Sequence, residues 1–257
     1  MKYNMLPVLL TTTFLSTNAI AQTVPEINAD YLNSLTGEKV TWEEVTVSGE
    51  YIIQIGDKFY KYTYYKPDNY AKTAERINNT LSTSDVTNVV FSNIRSTSKG
   101  GAIYNAINNS DTELKADFNG NYVILSSALG GAIYNDDNTI GNITGDFVAN
   151  HAEGNYADGG AIYNDGDIDN ITGNFIGNYA IGSSGDTYGG AISNYVKIDN
   201  IIGNFIGNYA EGRYADGGAI ENGGTIGNIT GNFIANHVKG TEALGGAIDN
   251  WGRKVGN

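Results

Sequence analysis

Residues 130–150, GGAIYNDDNTIGNITGDFVAN, contain the two short motifs on which the fold depends. The first motif is Gly-Gly-Ala-Ile, which begins at Gly130, and the second is Phe-x-x-Asn, from Phe147 to Asn150. Outward from this stretch the first motif recurs every 28 to 30 residues, beginning at Gly100, Gly159, Gly189, Gly217 and Gly245. A fixed period of this length is typical of a solenoid, in which each coil repeats the same side-chain positions.

The second motif follows 16 to 18 residues after the first glycine of each complete copy. Because this spacing is nearly constant, insertions are confined to a few places between the motifs. Four central copies have the repeat-motif residues Gly130, Gly131, Ala132, Ile133, Phe147, Asn150, Gly159, Gly160, Ala161, Ile162, Phe175, Asn178, Gly189, Gly190, Ala191, Ile192, Phe205, Asn208, Gly217, Gly218, Ala219, Ile220, Phe233 and Asn236.

The segment from Ile143 to Phe147 alternates apolar or small residues with polar ones, which predicts a strand with one buried face. Another apolar residue, Ile140, lies three positions earlier, and this offset breaks the alternation unless the chain turns at Asn142. Asparagine tolerates the left-handed backbone of a sharp turn. We therefore predict turns at Asn142 and at its equivalents Asn170, Asn200 and Asn228.

Gly-Gly-Ala-Ile itself is predicted to form another strand, with its isoleucine pointing inward. The next residue varies too much for a core position and is predicted to point outward: Tyr104, Tyr134, Tyr163, Ser193, Glu221 and Asp249. The residue after that is always asparagine, which predicts a ladder of side-chain amides along the stack: Asn105, Asn135, Asn164, Asn194, Asn222 and Asn250.

These features predict an all-β fold, a single-stranded parallel β-helix in which three short strands and their turns make one coil. Connections between parallel strands favour a right-handed coil. The β-helix repeats cover residues 99–257, and the last repeat is incomplete.

The first 21 residues combine Lys2, an apolar stretch from Met5 to Phe14 and the sequence Ala19-Ile20-Ala21, a pattern typical of a secretory signal peptide. Its removal changes the formal net charge from −13 to −14, because Lys2 is its only charged residue. We expect so acidic a chain to repel nucleic acid and anionic lipid. The chain has no cysteine, so disulfides and thiolate metal sites are excluded.

Residues 22–98 lack the repeat and are predicted to form an N-terminal cap, because an open solenoid end exposes unpaired backbone and core. Within this region residues 49–65 predict a β-hairpin that turns at Gly56-Asp57. The functional alternative is a glycan-binding platform of aromatic side chains, to which Phe59, Tyr60, Tyr62, Tyr64 and Tyr65 could contribute.

The pairing of Gly-Gly-Ala-Ile with Phe-x-x-Asn over residues 99–257 resembles the repeats of chlamydial polymorphic outer membrane proteins and related autotransporter passengers. This resemblance implies a Gram-negative bacterium, export to the cell surface, and a β-helical passenger that acts as an adhesin. It also implies a C-terminal outer-membrane β-barrel as carrier. After Asn250 the sequence holds no barrel-like segments, so we expect a truncated passenger.

Two sets of side chains are of types that can bind metal ions. Asp165, Asp167 and Asp169 alternate along one copy, and alignment of copies puts Lys197 beside Asp167 and Asp199 beside Asp169. Calcium could relieve the second, like-charge contact, but a solvated surface explains these residues better, and the spacing is not that of an EF-hand. The two histidines, His151 and His237, are predicted to lie in a surface stack with Tyr122, Tyr179 and Tyr209.

No cofactor site and no catalytic constellation is evident, so we expect a protein that is not an enzyme. The expected partners are host-cell or extracellular-matrix proteins or glycans, and the expected state is a monomer. Two alternatives remain: a carrier-free secreted scaffold, and a polysaccharide-degrading enzyme, since parallel β-helices also host that chemistry. The basic residues that such an enzyme would need are scattered: Lys99, Lys115, Lys197, Arg213, Lys239, Arg253 and Lys254.

Overall fold

The computed structural model describes residues 49–55, 58–64, 72–73, 75–78, 86–105, 109–252 and 254–255. Every regular element in these residues is a β-strand, and no helix long and apolar enough to cross a membrane occurs among them. Parallel strands stack in about six coils, so the predicted parallel β-helix is confirmed. Its handedness stays a prediction.

Each coil begins at a Gly-Gly-Ala-Ile motif and contributes several short strands. The first three coils hold β7 (Ile103–Asn105), β8 (Asn109–Asn119), β9 (Tyr122–Ile124), β10 (Ser127–Leu129), β11 (Ile133–Thr144), β12 (Phe147–Val148), β13 (His151–Gly154), β14 (Tyr156–Asp158), β15 (Ile162–Thr172), β16 (Phe175–Ile176), β17 (Tyr179–Gly182) and β18 (Asp186–Tyr188). The last three hold β19 (Ile192–Asn194), β20 (Lys197–Ile202), β21 (Phe205–Ile206), β22 (Tyr209–Glu211), β23 (Tyr214–Asp216), β24 (Ile220–Asn222), β25 (Thr225–Thr230), β26 (Phe233–Ile234), β27 (His237–Lys239), β28 (Glu242–Leu244), β29 (Ile248–Asn250) and β30 (Lys254–Val255).

Equivalent residues of successive coils pair in register. Ile133 pairs with Ile103 and Ile162, and Phe147 pairs with Phe118 and Phe175. Each set of equivalent residues therefore forms a row along the solenoid axis. Strands β10, β14, β18, β23 and β28 form one parallel sheet, and β6 (Arg95–Ser96), β9, β13, β17, β22 and β27 form another.

The core consists of rows of identical apolar side chains. Phenylalanine rings from Phe91 to Phe233 stack with centroids 4.7–5.1 Å apart and nearly parallel planes. The motif isoleucines Ile103, Ile133, Ile162, Ile192 and Ile220 are fully buried, as predicted. Burial of one such side chain stabilises the folded state by about 1.5–3 kcal/mol, so repeated burial stabilises a fold that has no disulfide.

The Gly-Gly-Ala segment is a corner rather than the predicted strand, and the strand starts only at the isoleucine. The first glycine has a left-handed backbone, with φ of +64° at Gly159, which favours glycine. The second glycine packs backbone to backbone, since a Cβ at Gly160 would overlap the carbonyl oxygen of Gly190. A strand pattern could not indicate this close approach between coils.

The predicted turn at Asn142 and its equivalents is wrong. Asn142 lies inside β11 and pairs with Asn170 of β15, and none of these four asparagines has a positive φ. Ile140 and Ile143 are nevertheless both buried, so two side chains three positions apart point inward although both residues lie in the same strand, β11. The predicted strand over Ile143–Phe147 is instead interrupted after Thr144.

Strand pairing begins before residue 99. Four earlier strands join the stack by parallel pairing: β3 (Lys72–Thr73), β4 (Ile77–Asn78), β5 (Thr87–Ser92) and β6 (Arg95–Ser96). Within β5, Phe91 pairs in register with Phe118 of β8. The two strands of the predicted hairpin, β1 (Gly49–Ile55) and β2 (Lys58–Tyr64), pair antiparallel. Its turn at Gly56-Asp57, the signal peptide and the aromatic platform side chains lie outside the described residues.

Candidate functional site

Two buried asparagine ladders fix the spacing of the coils. In the predicted ladder each side-chain Nδ2 from Asn105 to Asn222 donates to Oδ1 of the next coil at 2.6–2.8 Å. The second ladder is formed by the asparagine of Phe-x-x-Asn, and its role was not predicted. Asn178, for example, donates from Nδ2 to the Phe147 carbonyl at 2.9 Å and to Asn208 Oδ1 at 3.0 Å. These ladders are structural rather than ligand-binding, because both are buried.

A further set of rows, the amide face, is mostly polar and lies exposed or half-buried at the surface. It consists of three adjacent rows in four coils: Asn142, Asn170, Asn200 and Asn228; Thr144, Thr172, Ile202 and Thr230; Asp146, Asn174, Asn204 and Asn232. The first row is linked by amide hydrogen bonds of 2.7–2.9 Å. The chain has a formal net charge of −13, but Asp146 is the only ionisable residue among the twelve residues of this face. Apart from Asp146 and the exposed Ile202, the amide face therefore offers regularly spaced, uncharged donors and acceptors at the surface.

The predicted histidine–tyrosine stack is confirmed, but it is less exposed than predicted, because Tyr179 and Tyr209 are buried. Tyr122, His151, Tyr179, Tyr209 and His237 form one stack with ring centroids 4.5–5.2 Å apart. Burial lowers the pKa of His237. His151 lies between two tyrosine rings, and His237 lies on one among the described residues, so both histidines have a packing role.

The calcium candidates are spread along one strand pair. Lys197 lies beside Asp167 in register, but its ammonium group forms an ion pair with Asp199 at 2.8 Å. Lys197 therefore neutralises the carboxylate of Asp199, which was the candidate calcium ligand beside Asp169. Burial and the nearby Asp137 and Asp136 raise the pKa of Asp165. In the described part of the chain no group of three or more acidic or histidine side chains has metal-binding geometry. Calcium binding stays the weaker alternative to a solvated surface, and an unchanged melting temperature in millimolar calcium would eliminate it.

A further cluster, the acidic corner, was not predicted. It lies on both sides of the Gly-Gly corners of the C-terminal coils and consists of Asp158, Asp186, Asp216, Glu221 and Asp249. Asp158 belongs to the row that precedes the glycines; it pairs with Tyr188, and Tyr188 pairs with Asp216. Glu221 and Asp249 pair with each other in the row that follows the motif isoleucine. Each row can be recognised in the sequence, but the interaction between the two rows across the corner cannot.

Glu221 is the most enclosed member of the acidic corner. It is fully buried, although the sequence predicted that its row points outward, and the equivalent Ser193 and Tyr134 are buried as well. Ser193 Oγ donates to Glu221 Oε2 at 2.7 Å. Side chains of this row lie outside the hydrophobic core but are covered by neighbouring rows, which the pattern of one strand cannot show.

The electrostatics of the acidic corner are unfavourable to negative charge. Burial, followed by repulsion from Glu221, raises the pKa of Asp158 to about 8. Burial likewise raises the pKa of Glu221 to about 7, against the lowering effect of hydrogen bonds from Ser193 and Trp251. At neutral pH both carboxyl groups therefore carry a proton part of the time.

One comparison with known proteins found a match. Residues 88–106, which include Phe91 and the first Gly-Gly-Ala-Ile, match the family described as the Chlamydia polymorphic membrane protein (Chlamydia_PMP) repeat. Neither the comparison with curated proteins nor the one with solved structures found a match. The repeat of this β-solenoid is thus similar to that of the chlamydial polymorphic membrane proteins.

Proposed function

We propose that the chain is an exported, surface-displayed passenger of the autotransporter type, that it acts as an adhesin or interaction scaffold, and that it is not an enzyme. The match to a membrane-protein repeat and the stacked coils support this proposal. The observation that carries it is the amide face, since three rows of similar side chains at the surface of four coils provide an extended contact surface. The partner is a host-cell or extracellular-matrix protein or glycan.

Binding is tested with the purified chain on immobilised matrix proteins and glycans. We expect saturable binding above that of an unrelated acidic β-protein. Thr172→Arg, on the amide face, should reduce it about tenfold or more because a bulky charge interrupts the rows. Ser184→Arg is the matched control on an exposed segment away from that face. Binding no greater than that of the acidic β-protein contradicts the adhesin proposal, and equal losses in the two variants contradict the role of the amide face.

Export is tested separately by N-terminal sequencing of the product released from expressing cells. A mature chain that begins at Gln22 supports the proposed signal peptide. Retention of residues 1–21 in the cytoplasm contradicts it. Detection on intact cells by antibody distinguishes surface display from a carrier-free secreted scaffold.

The enzyme alternative would use the acidic corner, because a carboxyl group with a raised pKa suits a general acid. Against it, Glu221 is fully covered and cannot contact a sugar directly. Release of new reducing ends or unsaturated ends from a panel of polysaccharides, lost in Asp158→Asn, would support the enzyme and contradict the proposal.

A further inference from the structure

Three Asn-x-Thr tripeptides occupy the same position in three coils of the solenoid. They begin at Asn142, Asn170 and Asn228 and end at Thr144, Thr172 and Thr230. Asn-x-Ser/Thr, with any residue except proline in the middle, is the acceptor sequence for N-linked sugars. Elsewhere in the chain this sequence begins only at Asn78 and Asn108. Its repetition at one register position places three acceptor sequences in the first two rows of the amide face.

The fold accounts for the asparagine of these tripeptides but not for the threonine. The asparagines bond to one another along their row. The threonine side chains are exposed, and their hydroxyl groups form no hydrogen bond within the described part of the chain. In the coil between Asn170 and Asn228 the equivalent residue is Ile202, which is also exposed. Stacking of this row therefore requires no hydroxyl group.

The asparagines of this row also keep an amide hydrogen that the fold does not use. A side-chain amide has two N–H donors. Within the described residues, Asn170 Nδ2 donates one bond, to Asn142 Oδ1 at 2.7 Å, and Asn142 Nδ2 donates none. Asn228 Nδ2 also donates one bond, to Asn200 Oδ1 at 2.9 Å. Replacement of a remaining hydrogen by a sugar therefore breaks no hydrogen bond of the solenoid.

The buried ladders have the opposite arrangement. Asn194 Nδ2 donates to Asn222 Oδ1 at 2.7 Å and to the Thr225 carbonyl at 3.3 Å, so both of its hydrogens are used. Asn178 Nδ2 likewise has two acceptors. A sugar on Asn178 or Asn194 would break a buried hydrogen bond and would have no room, because both side chains are fully buried. The exposed row, unlike the two buried ones, combines the acceptor sequence with a spare N–H group.

We propose that Asn142, Asn170 and Asn228 are acceptor sites for N-linked sugars, which a separate glycosyltransferase attaches. In this step Nδ2 attacks the anomeric carbon of a sugar that is activated as a phosphate ester. The bond from that carbon to the phosphate oxygen breaks, an N–C bond forms, and Nδ2 loses one proton to a base of the transferase. The leaving group is a nucleoside diphosphate or a lipid pyrophosphate.

The three sites should differ in occupancy. Asn142 and Asn228 are exposed, whereas Asn170 is half-buried and bonded to Asn142 on one side and Asn200 on the other. Adjacent coils are about 4.8 Å apart, so sugars on Asn142 and Asn170 crowd each other, while Asn228 lies two coils beyond Asn170. We expect most chains to carry sugar on Asn142 and Asn228, and fewer chains to carry it on Asn170.

The test is mass spectrometry of the folded chain isolated from the cells that naturally produce it. Trypsin has no cleavage site between Lys115 and Lys197, so a protease that cleaves before aspartate is used to separate Asn142 from Asn170. We expect the peptides that contain Asn142 and Asn228 to be heavier by one or more sugar units, and fragmentation locates the modified residue. A single hexose identifies a nucleotide sugar as the donor, and a longer oligosaccharide identifies a lipid-linked donor.

Loss and rescue of the acceptor sequence are tested at Asn142 in the same cells. Thr144→Val removes the hydroxyl group but keeps the shape of an exposed side chain, so it should leave Asn142 unmodified. Thr144→Ser keeps the acceptor sequence and should keep the sugar.

Two further variants complete the acceptor sequence at new asparagines. Ile202→Thr completes it at Asn200, on the amide face, and should add sugar there at about the level of Asn170. Val196→Thr is the matched control, because Val196 is also exposed but completes the sequence at the buried Asn194. This control should add no sugar to the folded chain.

Three outcomes overturn the proposal. They are peptides of unmodified mass in the native chain, sugar that persists on Asn142 in Thr144→Val, and equal modification of Asn194 and Asn200 in the folded variants that complete their sequences. All three are measured by mass and none depends on adhesion, so failure of the adhesin proposal and failure of this one are distinguishable.

Discussion

At the residue scale, glycine and asparagine have backbone-specific roles. The first glycine of each motif provides a left-handed φ, and the second allows the next coil to approach to backbone contact. The asparagines satisfy main-chain groups that the corners leave unpaired, as Asn178 does for the Phe147 carbonyl. Substitutions at these positions should therefore act through sterics and hydrogen bonding rather than through loss of apolar burial.

Gly160→Ala should lower the free energy of unfolding by more than about 3 kcal/mol, because the added methyl group overlaps backbone atoms of Gly190 and Tyr179. Gly246→Ala is the matched control, since this glycine has the same motif position but nothing within 4 Å of an added Cβ. Chemical denaturation of both variants measures the difference. Similar stabilities would contradict the steric role of the second glycine.

Asn178→Ala should cost about 2 kcal/mol or more, because it leaves the buried Phe147 carbonyl and the main-chain amide of Asn150 without partners. Asn170→Ala removes an amide from a partly exposed row, where water replaces the lost bonds, and should cost less than about 1 kcal/mol. Denaturant midpoints compare the two. A larger loss in Asn170→Ala would mean that the exposed row stabilises the stack more than the buried one.

At the element scale, the strands are too short to be stable alone and depend on their neighbours in adjacent coils. Strands of two residues, such as β16 (Phe175–Ile176), are held between β12 and β21 by pairing and by the phenylalanine stack. Several strands per coil, β13 and β14 among them, were not predicted, because three or four residues give no usable alternation.

Phe175→Ala should destabilise the fold by about 3–5 kcal/mol, since its ring is fully buried between Phe147 and Phe205. Phe233→Ala should cost less, because Phe233 is only partly buried and stacks on Phe205 alone among the described rings. Thermal and denaturant unfolding of the two variants give the comparison. Equal losses would contradict a stack that is tightest in the central coils.

At the scale of the whole molecule, stacking like on like also stacks like charges, and the acidic corner is the most enclosed instance. A carboxyl group whose folded-state pKa is raised makes the fold more stable at low pH than at high pH. For Asp158 and Glu221 this advantage is complete below pH about 4 and is lost as pH rises through about 7 to 8. The acidic net charge adds repulsion in the same direction.

The melting temperature of the chain should therefore fall by about 5 °C or more between pH 5 and pH 9 in the absence of ligand. Asp158→Asn should flatten this dependence and raise the melting temperature at pH 9, because the amide cannot ionise. Asp199→Asn, an exposed acid paired with Lys197, should not flatten it. A melting temperature that rises over this range would contradict the burial of ionisable carboxyl groups in the corner.

The sequence by itself determined the period, the solenoid, the inward isoleucines, the first asparagine ladder and the histidine–tyrosine stack. These follow from one rule: equivalent residues of successive coils lie side by side, so a repeat in sequence is also a contact in space. Only the tertiary structure decided what depends on the path of the chain within one coil. Asn142 lies in a strand, Glu221 is covered, and Glu221 repels the carboxylate of Asp158, because the bends at the corners set which rows meet. No spacing along the chain records those bends, which arise from backbone packing between coils.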